Sequence, residues 1–194
     1  MAIRNVSVRL TGTSSLILHS GQLADPQNCF AKAMKEITKK RAKTEADLEE
    51  LSRLEFLGGL YIDREERVVL PDKAILATVV AGAKKSKCGP AAKAGVFVKG
   101  HAVLENITKK PAELWETGSS ESGGHVFRCG CKVAQSTVMR TRPIFPEWTC
   151  VAHFEIVDDL VSEKDLMGWL EVAGIQVGTC DWRPQHGRFT VERI

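Results

Sequence analysis

TCVAHFEIVDDLVSEKDLMGWLEVAGIQVGTCDWRPQHGRFTVERI, residues 149–194, decides the fold class. Its opening alternates: Val151, His153 and Glu155 face one way, and Ala152, Phe154 and Ile156 the other. A period of two is the mark of a half-buried strand. Ser162 then stands three residues ahead of Asp165, the pattern of an N-cap and its N3 partner. Leu166, Trp169, Leu170 and Ala173 follow at helical spacing, so the segment is an amphipathic helix. After a loop, RFTVERI reads as a second strand.

The N-terminus repeats the theme. Val6, Val8 and Leu10 alternate with Asn5, Ser7 and Arg9, and Leu16–Leu18 extend that strand or begin its partner after a bend at Gly12–Ser15. Asp25-Pro26 predicts a helix start, with Phe30, Met34 and Ile37 on one face of FAKAMKEITKKRAK. Thr44 and Asp47 open a second helix through Leu48, Leu51 and Leu54, ended by Gly58-Gly59. LYID and RVVLP flank a short turn, and Pro71-Asp72 starts a helix carrying Ile75, Leu76, Val79, Val80 and Ala83. GVFVKGHAVLE predicts a strand, residues 116–124 a loop, and HVFRCGCKVAQSTVMRTRP a long strand or a pair, with Pro143 and Pro146 bracketing a turn.

With the middle set aside, the order is strand, helix, strand, strand, helix, strand. That predicts an α+β fold of modified ferredoxin-like (RRM-like, β-α-β-β-α-β) type: an antiparallel sheet with helices on one face and the other face open to a ligand. The expectation is a single domain over 1–194, with residues 58–124 as an insertion or small lobe within it.

The 194 residues are 43% hydrophobic and 26% charged, an ordinary globular balance, and the net charge of +3 points to no partner by itself. No apolar run approaches the roughly 20 residues that span a bilayer, and the start of the chain lacks an apolar signal core. A cytoplasmic protein without membrane contact is expected. The six cysteines are scattered, which favours reduced thiols over a disulfide scaffold.

The most informative loop is GTCDWRPQHGRF, residues 178–189. Glycines at both ends permit a close backbone turn and an anion-binding nest of N–H groups. Arg183 and Arg188 suit phosphate oxygens, Trp182 offers a face for a base, and His186 a hydrogen bond. Packing of Trp182 on the sheet, with Arg183 stacked on it, is the competing explanation. Further cations cluster at Lys39, Lys40 and Arg41, at Lys84, Lys85 and Lys87, and at Arg140 and Arg142. Carboxylates gather at Glu45–Glu55 and Asp63–Glu66. Such segregation predicts a basic and an acidic face, or contact between copies.

His125, Cys129, Cys131, Cys150 and His153 are residue types that bind zinc, but Cys-x-Cys has no second thiol pair to complete a site, so buried inert thiols are preferred. Whether Cys129 and Cys131 bind a metal stays open at this point. No Walker, HExxH or GxSxG motif occurs, and His19-Ser20 is a poor nucleophile and base pair. Neither an enzyme nor a cofactor is expected.

Gly178–Phe189, basic and bounded by glycine before the last strand, resembles the glycine-rich loop of the repeat-associated RNA-binding superfamily, which supplies backbone and processing subunits of CRISPR effector complexes. The loop departs from that pattern at Thr179-Cys180-Asp181. Over nearly its full length the chain also resembles a family of uncharacterised phage and prophage proteins, through SLILHSGQLADP, LEFLGGLYID, AGAKKSKCGPAAKAGVFV, VMRTRP and CDWRPQHGRF. The first resemblance implies RNA contacts, and the second implies a phage-encoded protein acting in the cytoplasm of a bacterial host cell. The expected function is that of a non-enzymatic single-stranded nucleic-acid-binding protein, for RNA or DNA, assembling as a homo-oligomer or filament along the strand. The competing expectation is a protein–protein interaction factor directed at a host defence or replication protein, using the acidic helix from Thr44 to Phe56 with Glu49 and Glu50. A binder of single nucleotides is a third.

Overall fold

The structure is a computed structural model describing residues 2–194. In chain order its elements are β1 (Ile3–Gly12), β2 (Leu16–Ile17), α1 (Cys29–Thr38), α2 (Glu45–Gly59) and β3 (Val69–Leu70). They continue with α3 (Asp72–Lys85), α4 (Gly89–Gly95), β4 (Val96–Val98), β5 (Ala102–Val103) and α5 (Pro111–Glu116). The chain closes with β6 (Val126–Val133), β7 (Ser136–Phe145), β8 (Thr149–Val157), α6 (Glu163–Gln176) and β9 (Phe189–Arg193). The fold is α+β with antiparallel sheets. No helix among the described residues is long and apolar enough to cross a membrane.

The chain forms two compact units. One comprises the chain up to Ile17, Ile62–Thr108 and Phe145–Ile194; the other comprises Leu18–Tyr61 and Lys109–Ile144. These bounds differ from the expected single body with an insertion at 58–124. Residues 62–108 belong with the large sheet because β4 pairs with β8 and α3 packs on α6.

The first unit is built on a four-stranded sheet in the order β4-β8-β1-β9, antiparallel throughout. Register places Val8 opposite Ala152, Val6 opposite Phe154 and Leu10 between Cys150 and Val191. The inward set Val6, Val8, Leu10, Cys150, Ala152, Phe154 and Ile156 is fully buried. A buried residue of the Val, Ile, Leu or Phe kind contributes about 1.5–3 kcal/mol over leaving it exposed, so the alternation alone orients this face. The helices α3 and α6 pack together closely. A Cβ at Gly82 would lie 2.1 Å from the carbonyl oxygen of Trp169, so only glycine permits the approach. The expected cap is present on α6: the Ser162 hydroxyl accepts from Asp165 N–H at 3.1 Å, and the Asp165 carboxylate accepts from Ser162. The apolar side of α6 is Leu166, Trp169, Leu170 and Ala173, all buried.

The second unit holds α1, α2, α5 and the β6–β7 hairpin. Thr44 and Asp47 cap α2 reciprocally. Phe56 of α2 is fully buried and meets Trp115 of α5 edge to face, with ring centroids 5.5 Å apart. Arg128 lies over the same Trp115 at 5.7 Å and pairs with Glu49 at 2.8 Å.

Three local expectations fail for physical reasons. Asp25 closes a one-turn 3₁₀ helix, and α1 starts at Cys29, where the Asn28 side chain accepts from Phe30 N–H at 2.9 Å. GVFVKGHAVLE is not one strand: Gly95 ends α4, and Gly100, with φ of 74°, turns the chain between β4 and β5, which are only three and two residues long. Pro143 does not bracket a turn: it lies within β7, its carbonyl accepting from Leu18 N–H at 3.0 Å.

Candidate functional site

The loop from Gly178 to Arg188 joins α6 to β9 and is tied to the 13–17 segment. Gly187 N–H donates to the Ser15 carbonyl at 2.8 Å, Asp181 N–H to Ile17 at 3.0 Å, and Thr13 N–H to the Arg188 carbonyl at 2.8 Å. Ser14 Oγ accepts from Arg188 N–H at 3.0 Å, and Ser15 Oγ sits 2.8 Å from His186 Nδ1. From α3, the Thr78 hydroxyl donates to Thr179 Oγ1 at 3.1 Å, both side chains being buried. Gly178, Cys180, Trp182 and Gly187 all have positive φ, so the chain turns tightly here. A Cβ at Gly187 would come 2.1 Å from the Thr179 carbonyl oxygen.

This geometry revises the nest. The N–H groups of Thr179, Asp181, His186, Gly187 and Arg188 all donate within the protein. Those five amides are therefore not available to an anion, whereas the loop's side chains are. Trp182 is 39% exposed and stands edge to face with His186 at 6.1 Å. Arg183 and Arg188 are exposed.

Arg183 does not stand alone. An open cavity of about 560 Å³ is lined by Ala81, Lys84 and Lys85 of α3, Gln176 of α6, and Arg183 and Pro184 of the loop. The adjacent Lys84 and Lys85 and the sequence-distant Arg183 thus share one concavity. None of them lies within salt-bridge distance of a carboxylate among the described residues. The lysines stand in the last turn of α3, where they also complement the helix dipole. Lys87, with φ of 62°, terminates α3 and does not line this cavity.

Compared with protein-family models and with curated proteins, the chain matches none.

The remaining candidates lie elsewhere. Lys39, Lys40 and Arg41 follow α1 in the second unit, where Lys39 pairs with Glu36 at 2.6 Å and Lys40 pairs with Asp47. The hydrogen bond from Lys40 is the main cause holding the Asp47 carboxyl down at about 2. Arg142 is buried, and it and Arg140 both point at Glu55, each at 3.3 Å. Both arginines are engaged by Glu55, whose single charge matches one of the two, and Arg142 is held inside the protein. The acidic helix is also partly neutralised, with Glu49 on Arg128 and Glu50 on Arg53.

The sheet face away from α3 and α6 carries Asn5, Ser7, Arg9, His153 and Glu155. Its cations are matched too: Lys99 pairs with Glu155 at 2.8 Å and Arg9 with Glu192 at 3.8 Å. Ser7 Oγ sits 2.8 Å from His153 Nδ1. This face is therefore a poorer anion site than the loop.

Cys129 and Cys131 lie on one face of β6 with sulfurs 3.8 Å apart. Burial, reinforced by the neighbouring thiol, pushes Cys129 up to about 11. Burial pushes Cys150 up to about 12. No group of three or more His, Cys, Asp or Glu residues is arranged for a metal among the described residues.

Sequence reasoning missed Lys73 and named Lys93 only as a basic residue beyond the Lys84 cluster, without a site. With Lys84 they rim a second concavity, along α3 and α4, of about 580 Å³.

Proposed function

We propose that the protein binds single-stranded nucleic acid at the concavity shared by Arg183, Lys84 and Lys85. One observation carries this reading: three cations from two separate elements, without an ion pair among the described residues, converge on one open cavity, and the residue before Arg183 in the chain is a partly exposed tryptophan. Arg183 suits bidentate contact with phosphate, the lysines act as point charges, and Trp182 provides a stacking face. A duplex buries its base faces and gives Trp182 nothing to stack on, which favours a single strand. Binding needs no catalytic group, and the reading assigns none.

The strand order supports a ferredoxin-like reading of the first unit. Numbered along the chain, β1, β4, β8 and β9 stand across the sheet as 4-1-3-2, with α3 between the first two and α6 between the last two. On that reading the second unit is an elaboration made by two excursions of the chain.

The test is fluorescence anisotropy of labelled single-stranded RNA and DNA oligonucleotides of several lengths, at low and moderate salt. Affinity that rises with length and falls steeply with salt supports the proposal. No binding to either polymer at low salt sinks it, and affinity indifferent to length replaces it with a site for a single nucleotide.

A further inference from the structure

The second concavity has a different character from the loop cavity. On α3 the residues facing the core are Ile75, Thr78, Val79, Gly82 and Ala83. Lys73, Leu76, Val80 and Lys84 form another stripe, spaced i, i+3, i+7 and i+11, with charged ends and an apolar middle. Pro90 and Lys93 of α4 supply the opposite wall. From Lys73 to Lys84 the stripe runs roughly 16 Å, about three helical turns. None of the three lysines lies within salt-bridge distance of a carboxylate among the described residues.

We propose that this groove docks a short acidic amphipathic segment of a partner protein. Charge complementarity selects the occupant. Three unpaired ammonium groups around an apolar floor match aliphatic side chains flanked by Asp or Glu, the pattern of a helix laid in a groove. A nucleic-acid strand fits less well, because the lining has no aromatic ring for a base to stack on and no amide or hydroxyl side chain to read a base edge. Such a peptide gains from both parts of the groove: its apolar side chains leave water, and its carboxylates meet cations that no carboxylate among the described residues pairs with. Lys84 lines both concavities, so occupation of one site weakens the other. The proposal does not rest on the nucleic-acid reading.

The test uses the full chain and a fluorescein-labelled helical peptide with Leu at i, i+3, i+4 and i+7 and Glu at the flanking positions. Two controls replace its Leu by Gln or its Glu by Lys. Saturable, salt-sensitive binding is expected for the Leu/Glu peptide and for neither control. Leu76→Ser with Val80→Ser, and separately Lys73→Glu with Lys93→Glu, should each weaken it by roughly tenfold or more, about 1.4 kcal/mol. The serine pair should leave oligonucleotide affinity within about twofold, since it removes no charge. Absence of saturable binding, or binding that survives both double variants, overturns the proposal. So does a serine pair that weakens the oligonucleotide and spares the peptide, which gives the groove to the strand. A concentration-dependent dimer in sedimentation that the serine pair dissolves also overturns it, giving the groove to a second copy of the chain. An oligonucleotide titration of wild type succeeds or fails separately from all of these.

Discussion

Arg142 of β7 and Glu55 of α2 are both buried, and their charged ends lie 3.3 Å apart. The same carboxylate accepts from Thr141 N–H at 2.9 Å and from Arg140. One carboxylate thus answers a backbone amide and two guanidiniums, and it joins α2 to the hairpin within the second unit. Glu55→Ala removes the buried carboxylate that Arg142, Arg140 and the Thr141 N–H share. The expected loss is about 3–5 kcal/mol, the usual result of breaking one side of a buried pair. Urea unfolding followed by tryptophan fluorescence measures it. A loss under about 1 kcal/mol would mean that water reaches Arg142 and that the pair behaves as a surface one.

Phosphate contacts set a slope. Each one removed on a single strand lowers the dependence of log affinity on log salt by about 0.7. Arg183→Ala should therefore weaken oligonucleotide binding and flatten the slope by that amount, and Lys84→Ala with Lys85→Ala should flatten it further. Lys39→Ala with Lys40→Ala should change it little, because Glu36 and Asp47 already occupy those lysines. Equal effects from both sets would move the strand's path to include the second unit.

How far the sequence spoke depends on the range of the interaction. Where neighbours in the chain decide the outcome, it was legible: alternation in β1 and β8, the Ser162–Asp165 cap on α6, and the Thr44–Asp47 cap on α2 were all readable. Where the deciding partner is remote, it was not. VMRTRP shows two cations, but the carboxylate that claims Arg142 lies 87 residues earlier. The loop glycines were evident, yet the carbonyls and hydroxyl that consume the loop's amides come largely from Ser14, Ser15 and Ile17. Lys84, Lys85 and Arg183 were each singled out separately, and only the packing of α3 against α6 brings them together.

The cap of α6 predicts an acid-side response. The Ser162 hydroxyl and then its backbone N–H hold the Asp165 carboxyl below its ordinary value. A carboxylate depressed in the folded state contributes stability that is present above its unfolded value, near 3.9, and is lost as pH falls through the folded one. Urea midpoints should decline below about pH 4 more in wild type than in Asp165→Asn. At neutral pH, Ser162→Ala should cost about 1 kcal/mol, the usual value for a lost N-cap. Identical acid branches in wild type and Asp165→Asn would remove the carboxylate from the account.

Thiol reactivity should separate along burial. Cys29 is exposed, whereas burial pushes both Cys150 and Cys180 up to about 12. Iodoacetamide near pH 8 should alkylate Cys29 first, leave the buried Cys150 untouched until urea unfolds the chain, and react only slowly with Cys180, which is half-buried but has its thiol pushed up, as read by peptide mass spectrometry. Early labelling of Cys180 would show that the terminal loop opens in the native state.

That possibility makes Gly187 the sharpest probe of the loop. Gly187→Ala forces a side chain into the left-handed region, at roughly 1–2 kcal/mol, and also drives a Cβ towards the Thr179 carbonyl, 2.1 Å away. The loop must shift to relieve it, taking Arg183 away from Lys84 and Lys85. The variant should therefore lose both stability and oligonucleotide affinity, with Cys180 becoming alkylated faster. Arg183→Ala should lose affinity alone, because its exposed guanidinium has no carboxylate partner among the described residues to lose. If Gly187→Ala unfolds more easily but binds as wild type, the loop's shape is irrelevant to the ligand. The cations of α3 would then hold the strand without it.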